Sequence, residues 1–189
     1  MKLKVLKLIS VKSTNDEAIK LINKNKINPT IIYSEKQTRG RGTMGKKWIS
    51  KKGNIFATIY FCINNIKIKS NEFSILNPYL VKGVLAKYSA QKIDIKWPND
   101  LMIKKKKISG ILQEIIEFKN KKYLIIGIGI NSVTSPFSKK FKSTSLSNFS
   151  NEIVDNKLIM TQIIKTYEKF ISDIRNYSFF NLKKKIYKG

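Results

Sequence analysis

Apolar and polar residues alternate in short runs along much of the chain, and this pattern predicts β-strands. Leu3 to Ile9 alternates in the manner of an edge strand, and Thr30 to Ser34 is a second short run. Asn54 to Ile63 is rich in Ile, Phe, Thr and Tyr, which predicts a buried strand. Four β-rich runs in quick succession then predict a meander: Ile93 to Trp97, Leu101 to Ile103, Ile108 to Phe118 and Tyr123 to Ile130.

Helical periodicity is found in three other segments. Ser13 to Glu17 supplies an N-cap and first-turn acids for a helix. Asn71 to Gln91 places Phe, Leu and Val at helical spacing, and Pro78 within it predicts a kink or a helix start. Lys157 to Ile174 is periodic again, and a short basic tail follows it. Helices beside a mixed, mainly antiparallel sheet give an α+β fold class.

Length and composition limit the kinds of protein that this chain can be. Its 189 residues with 42% hydrophobic content suit a single domain spanning residues 1–189. No apolar run is long enough to cross a bilayer, and the N-terminus alternates Lys with Leu and Val, so we expect a soluble cytoplasmic protein. The absence of histidine excludes His triads and His metal sites, and the single Cys62 excludes an intramolecular disulfide and a Cys metal cluster.

The formal net charge of +26 points first toward polyanions such as nucleic acid. Lysine is spread along the whole chain, and the clusters Lys104 to Lys107 and Lys183 to Lys185 are typical of a solvated turn and a solvated tail. The chain has no interleaving of basic and aromatic residues of the kind that nucleic-acid readers use. A nucleic-acid-binding module stays open as an alternative, although attraction to ATP or to an acidic protein explains the same charge.

The polar stretch from Gln37 to Lys47, which leads into Trp48, contains three glycines and no apolar period, so it predicts a long functional loop. Glycines expose backbone N–H groups to anionic oxygens, arginine offers a planar fork for carboxylate or phosphate, and Trp48 offers a face for a base. These residues predict a nucleotide or acyl-phosphate cradle. The structural alternative is a flexible basic surface loop that Trp48 anchors in the core.

Two further segments place polar or small residues at defined points of the predicted strands. Lys96-Trp97-Pro98-Asn99-Asp100 stands at a strand junction. Lys107 follows at the start of the next strand, where the sheet sets its direction and can aim it into a cleft. Gly127-Ile128-Gly129-Ile130-Asn131 puts two glycines on one face of a strand. Such glycines leave a groove for a ligand, or they mark a bulge or a tight packing contact.

Taken in order along the chain, these segments resemble the catalytic domain of the biotin-protein ligases. The resemblance rests on Ser13-Thr14-Asn15, Gly40-Arg41-Gly42 with Trp48, Lys96 to Asp100, Lys107-Ile-Ser-Gly-Ile-Leu112 and Gly127 to Asn131. It implies a mixed sheet flanked by helices, as in class II aminoacyl-tRNA synthetases and lipoyl ligases. It also implies an enzyme that uses ATP and magnesium to form biotinyl-5'-AMP and transfers the biotin to a lysine of a biotin carboxyl carrier domain of acetyl-CoA carboxylase.

The resemblance also assigns residues to the biotin end of the site. Ser13, Thr14 and Gln37 are expected to bind the ureido head of biotin. Gly110 and Leu112 are expected to line its pocket. Gly40 and Arg41 are expected to hold the biotin carboxylate and the phosphate of ATP, and Lys107 is also expected among the residues that bind biotin.

At the nucleotide end, the resemblance assigns Trp48 to the adenine and places Asn131 close to the nucleotide. Asn99 and Asp100 are expected at the ATP and magnesium end, with no protein metal site assigned beyond that. The catalytic role falls to Lys107, with Arg41 opposite it. A fixed ammonium at that point would stabilise negative charge that accumulates on the phosphate in the transition state.

Two departures from the family pattern change what we expect. The family loop usually continues with a second Arg, where this chain has Thr43, so the phosphate contact of that Arg is expected to be missing. We also expect neither the winged-helix DNA-binding domain nor the small C-terminal β-barrel of longer members. Specific DNA binding is therefore not expected, and a homodimer is left open.

Two related chemistries on the same fold are the nearest alternatives. A lipoate-protein ligase would follow the same adenylate logic with a different acyl group, although the Gly-Arg-Gly loop with Trp48 and the Lys96 to Asp100 segment favour biotin. An octanoyl transferase would require a nucleophilic cysteine. Cys62 lies in an apolar run, where burial disfavours the thiolate, so it is a poor candidate.

Overall fold

The computed structural model describes residues 1–137, 142–176 and 178–188. Within them the strands are β1 Lys4–Val11, β2 Thr30–Gln37, β3 Ile55–Cys62, β4 Asp94–Lys96, β5 Asp100–Ile103, β6 Lys106–Phe118 and β7 Lys121–Ile130. The α-helices in the same residues are α1 Thr14–Asn23, α2 Ser70–Leu85, α3 Asn156–Asp173 and α4 Phe179–Lys188. None of the helices in this described part of the chain has both the length and the apolar character needed to cross a bilayer.

All the strands belong to one sheet, in the order β1-β2-β3-β7-β6-β5-β4. β1 runs parallel to β2, and every other neighbouring pair is antiparallel. The predicted edge strand is therefore at an edge, and the predicted meander from β4 to β7 is confirmed. The mixed, mainly antiparallel sheet with flanking helices also confirms the α+β fold class.

Helices pack on both faces of the sheet, and each face carries a buried apolar cluster. Alternation along β3 divides its side chains between two apolar clusters, with Ile59 in the larger cluster and Tyr60 in the smaller. The larger cluster packs against α2 and α3 through residues such as Leu76 and Ile163. The smaller packs against α1 through residues that include Ile22. A site on the α1 face therefore has a rigid sheet beneath it.

The helix starts follow local capping rules. Ser13 caps α1, where its Oγ accepts a hydrogen bond from the backbone N–H of Asp16 at 3.4 Å, as the sequence predicted. Helix α2 begins at Ser70, where the Glu72 carboxylate accepts from the backbone N–H of Lys69 at 2.7 Å. The helix then continues through Pro78, which is buried, so this proline does not start the helix.

The prediction of a basic tail after α3 is wrong for the part of that segment that the structure describes. Residues 179–188 form α4, which packs beside α2. Phe179 lies partly buried against the larger cluster, and the Lys183 ammonium lies 5.9 Å from the centroid of the Phe179 ring. The lysines made the segment resemble a solvated tail, whereas the docking of Phe179 stabilises it as a helix.

Candidate active site

The glycine-rich loop after β2 is folded back on itself, which is consistent with the predicted loop. The Trp48 N–H donates to the Gly40 carbonyl at 2.9 Å, and the Gly42 N–H donates to the Lys46 carbonyl at 2.7 Å. A Cβ at Gly40 would lie 2.8 Å from the Trp48 carbonyl oxygen, so the backbone approach requires glycine there. Met44, at the tip, has a φ of 54° and is 92% exposed. The loop is thus closed at its base and open to solvent at its tip.

Trp48 lies flat against glycines of the sheet. Gly110 of β6 and Gly129 of β7 are paired in register, and a Cβ at Gly110 would lie 2.7 Å from the indole. A Cβ at Gly129 would overlap the same ring. Gly110 and Gly129 therefore make a tight packing contact with Trp48, which is one of the alternatives that the sequence left open for the glycines of β7. The indole Nε1 is buried and has no hydrogen-bond partner among the described residues.

Lys107 differs from the lysines that precede it. Lys104 and Lys105 form the tight turn between β5 and β6 with φ values of 46° and 62°, and they are exposed, as is Lys106. The Lys107 side chain is only 22% exposed, and its Nζ lies 2.6 Å from Asp100 Oδ1. The same ammonium lies 5.3 Å from the centroid of the Trp48 ring. The sheet therefore directs this lysine over Gly110 toward the loop, where Asp100 fixes its ammonium.

The polar residues predicted for the biotin head lie close together at the start of α1. The backbone N–H and the Oγ1 of Thr14 both donate to Gln37 Oε1, at 2.8 and 3.1 Å. Gln37 Nε2 in turn donates to Ser50 Oγ at 3.2 Å. Ser13, which caps the helix, is 1% exposed. The structure brings Thr14 and Gln37 into direct contact, and Ser50 is a partner that the sequence did not indicate.

Arg41 is held by two carboxylates. Its Nη1 lies 2.6 Å from Asp16 Oδ1, and its Nη2 forms a second ion pair with Glu114 Oε1. Burial acts to lower the pKa of Arg41, but hydrogen bonds to Asp16 and Glu114 outweigh it and raise the pKa above its ordinary value. Glu114 was missed by sequence reasoning. A signal was present, because Glu114 shares a strand face with Gly110 and Leu112 at two-residue spacing.

Asn15 and Thr58 extend this polar network into the sheet. Asn15 Nδ2 donates to Glu114 Oε2 at 2.8 Å, and Asn15 Oδ1 accepts from Thr58 Oγ1 at 2.7 Å. Asn15 also occupies the space above Gly127, where a Cβ would overlap its amide. Thr58 is fully buried in the apolar strand β3, and that isolated hydroxyl was the signal that sequence reasoning overlooked.

The remaining predicted residues lie around the ends of β5, β6 and β7. Asn99 Nδ2 donates to the Ile111 carbonyl at 3.1 Å, so its amide closes the edge between β5 and β6. Asn131 is buried; its Nδ2 donates to the carbonyls of Lys107 and Thr144, and its Oδ1 has no partner among the described residues. A cavity of about 140 Å³ adjoins the loop, with Thr43, Pro98, Asn99 and Gln113 among its lining residues.

Two cations therefore lie along one face of β6, one at the start of the strand and the other extending from the loop. Lys107 and Trp48 lie over Gly110, and Arg41 pairs with Glu114, four residues further along the strand. At 3.3 Å per residue this separation is about 13 Å. Half-buried Leu112 lies between them on the same face. The arrangement can bind an elongated ligand with anionic groups along this strand.

Comparison with known proteins gives a consistent result. The model of the biotin/lipoate A/B protein ligase family matches residues 7–131. The bifunctional ligase/repressor BirA of Bacillus spizizenii is 35% identical over 180 residues, which are 92% of this chain and 55% of that protein. The biotin–[acetyl-CoA-carboxylase] ligase of Mycobacterium tuberculosis is 24% identical over 155 residues, which are 79% of this chain and 57% of that protein.

A solved structure, the biotin protein ligase from Aquifex aeolicus in complex with biotin and ATP, also matches. It superposes with a TM-score of 0.79 at 28% sequence identity, over 97% of this chain and 76% of that one. The chain spans about half the length of the curated relatives it matches.

Proposed function

Because the chain belongs to the biotin/lipoate A/B protein ligase family, we propose that it is an ATP-dependent biotin-protein ligase. The proposed reaction joins biotin to AMP and then transfers it to a lysine of a carrier domain. The observation that carries this proposal is the placement of two cations, Arg41 and Lys107, along one face of β6 with the indole of Trp48 beside them.

The biotin head is assigned to the start of α1. Ser13, Thr14 and Gln37 are polar and lie close together, and the two hydrogen bonds that Thr14 donates to Gln37 fix both side chains before a ligand arrives. A ureido group, which both donates and accepts hydrogen bonds, suits such a set, whereas a dithiolane would prefer an apolar pocket. Gly110 and Leu112 would supply the strand surface along which the rest of the ligand extends.

In the first half-reaction the biotin carboxylate attacks the α-phosphate of ATP, and pyrophosphate leaves. Negative charge accumulates on the nonbridging oxygens during this step. Lys107 is suited to stabilise it, because Asp100 and the Trp48 ring hold its ammonium in one place before substrate binds. Arg41, with Gly40 beside it in the loop, would hold the biotin carboxylate and the phosphate from the other end.

Trp48 and Asn131 are assigned to the nucleotide. Both carry a buried polar atom with no partner among the described residues, the indole Nε1 and the amide Oδ1. A buried polar atom without a hydrogen bond destabilises the fold, and a bound ligand can supply the missing hydrogen bond. The base could stack against the indole if the loop moves to admit it, since the indole now covers the glycines.

Magnesium would enter with ATP and screen the charge of the departing pyrophosphate. No group of three His, Cys, Asp or Glu side chains that could hold a metal occurs in the described residues. Asp100 is the carboxylate that this chain offers at the Lys107 end, with Asn99 next to it.

In the second half-reaction the neutral amine of the acceptor lysine attacks the carbonyl of the mixed anhydride, an amide forms and AMP leaves. This step needs mainly positioning of the two reactants. The proposed acceptor is a biotin carboxyl carrier domain, since the Mycobacterium tuberculosis relative is named for acetyl-CoA carboxylase.

Ligand identity is tested by titration calorimetry of the protein with biotin and, separately, with lipoate. We expect biotin to bind and lipoate not to bind, and we expect Gln37→Ala to weaken biotin binding because Gln37 anchors the polar set. Binding of lipoate without binding of biotin would place the chain with the lipoate ligases on the same fold.

A further inference from the structure

Glu114 lies at the meeting point of three elements, although the proposed reaction gives it no role. It projects from β6, pairs with Arg41 of the glycine-rich loop, and accepts a hydrogen bond from Asn15 of α1 at 2.8 Å. Its two carboxylate oxygens serve different partners, because Oε1 faces Arg41 and Oε2 faces Asn15. Glu114 therefore links the loop to the helix that carries the predicted biotin residues.

Glu114 is less exposed than Asp16, the other carboxylate that contacts Arg41, and it has a second partner in Asn15. Glu114 sits in a strand paired with β7, its side chain is 23% exposed, and Asn15 is anchored in turn by fully buried Thr58. The other carboxylate on Arg41 is Asp16, which lies in the first turn of α1 and is 49% exposed. Of the two, Glu114 is the partner better suited to set where the guanidinium lies.

The Arg41 guanidinium has five N–H donors, and the two ion pairs engage only one nitrogen each. Among the described residues these donors have no other partner, so they can meet an incoming anion in a plane that the carboxylates have already set. We propose that Glu114 is a positioning residue for adenylation: it orients Arg41 toward the substrate anion and couples that orientation to the biotin-head residues on α1. This inference rests on the proposed function and deepens it.

Charge and positioning predict opposite effects of removing Glu114. As a negative charge near the substrate carboxylate and phosphate, Glu114 repels them, so its loss would tighten substrate binding if charge were its whole contribution. As a positioning group it makes Arg41 effective in the transition state, so its loss would lower kcat. We expect positioning to prevail, with kcat for biotinyl-AMP formation lower by about tenfold to a hundredfold in Glu114→Ala.

A double-mutant cycle separates action through Arg41 from a general loss of structure. Adenylation is followed by pyrophosphate release for wild type, Glu114→Ala, Arg41→Ala and the double variant. Glu117→Ala is the matched control, because Glu117 lies on the same strand and is exposed. We expect Glu114→Ala to add little in the Arg41→Ala background and Glu117→Ala to match wild type. Losses that multiply in the double variant, or an unchanged kcat in Glu114→Ala, would overturn the proposal.

A second readout does not depend on the reaction. Hydrogen exchange of the peptide covering residues 38–48 reports how firmly Arg41 is held. We expect Glu114→Ala to speed exchange in this loop and Glu117→Ala to leave it unchanged; equal exchange in both would overturn the anchoring step. A wild-type protein that forms neither biotinyl-AMP nor lipoyl-AMP would refute the proposed function instead, while the exchange measurement would still decide whether Glu114 holds the loop.

Discussion

Substitution of Lys107 should slow adenylation far more than it affects folding. Its side chain is 22% exposed and its ammonium lies 2.6 Å from Asp100 Oδ1, so it is already oriented when ATP arrives. At 4 Å and an effective dielectric constant of about 20, two unit charges of opposite sign attract by about 4 kcal/mol. Part of this attraction already exists in the ground state, because ATP is an anion before the reaction.

We therefore expect Lys107→Ala to raise the barrier by about 3 kcal/mol, which is roughly a hundredfold in rate. The cost to folding should stay below about 1 kcal/mol, because a partly exposed ion pair contributes little to stability. Single-turnover formation of biotinyl-AMP measures the rate, and thermal unfolding measures the stability. The two measurements together distinguish a lost charge from an unfolded protein.

Two controls make this prediction specific. Lys105→Ala and Lys106→Ala remove exposed lysines from the same short segment and should adenylate at the wild-type rate. Lys107→Met keeps an apolar stem that can cover Gly110 but removes the charge, so it should be as slow as Lys107→Ala. A wild-type rate in Lys107→Ala, or an equal loss in Lys105→Ala, would remove Lys107 from the catalytic role. Recovery of the rate in Lys107→Met would show that packing matters, and not charge.

Two further predictions concern the loop. Gly129→Ala should displace Trp48, because the added Cβ would overlap the indole. In a Trp97→Phe background we expect this displacement to red-shift the fluorescence of Trp48. Gly83→Ala, which has open space around its Cβ, should leave the spectrum unchanged. An unshifted spectrum would refute the contact. Thr43→Arg should reduce stray biotin labelling of a bystander protein at matched acceptor turnover, because a charge-assisted hydrogen bond to the adenylate contributes about 1.5 to 3 kcal/mol that a neutral hydroxyl does not. Equal and negligible labelling by both proteins would show that position 43 does not control retention.

The strands and the meander from β4 to β7 were accessible from the sequence, because alternation and turn residues are local signals. The runs that became β3, β6 and β7 carry β-branched and aromatic residues over lengths typical of strands, and the charged turns between them are short. The sequence placed Lys107 at the start of a strand that would set its direction, and in the structure Lys107 lies in β6 and is half-buried, whereas Lys106 of the same strand is exposed. Pairing of β3 with β7 required the tertiary structure, because no local signal specifies that partner.

The contacts that organise the candidate site were less accessible. The ion pair between Arg41 and Glu114 joins residues 73 positions apart, and only the folding of the loop across the sheet brings them together. The sequence also left open whether the glycines of β7 formed a groove or a packing contact. The structure places Trp48 and Asn15 over them, which are side chains from a loop and a helix far away in the chain.

The most direct test of the account is mass spectrometry of the protein incubated with ATP, magnesium and biotin in the absence of any acceptor. We expect a species with the mass of biotinyl-AMP that requires both ATP and biotin and is strongly reduced in Lys107→Ala. A parallel incubation with lipoate should give no acyl-AMP. Lipoyl-AMP without biotinyl-AMP, or no acyl-AMP from either acid, would contradict the proposed function.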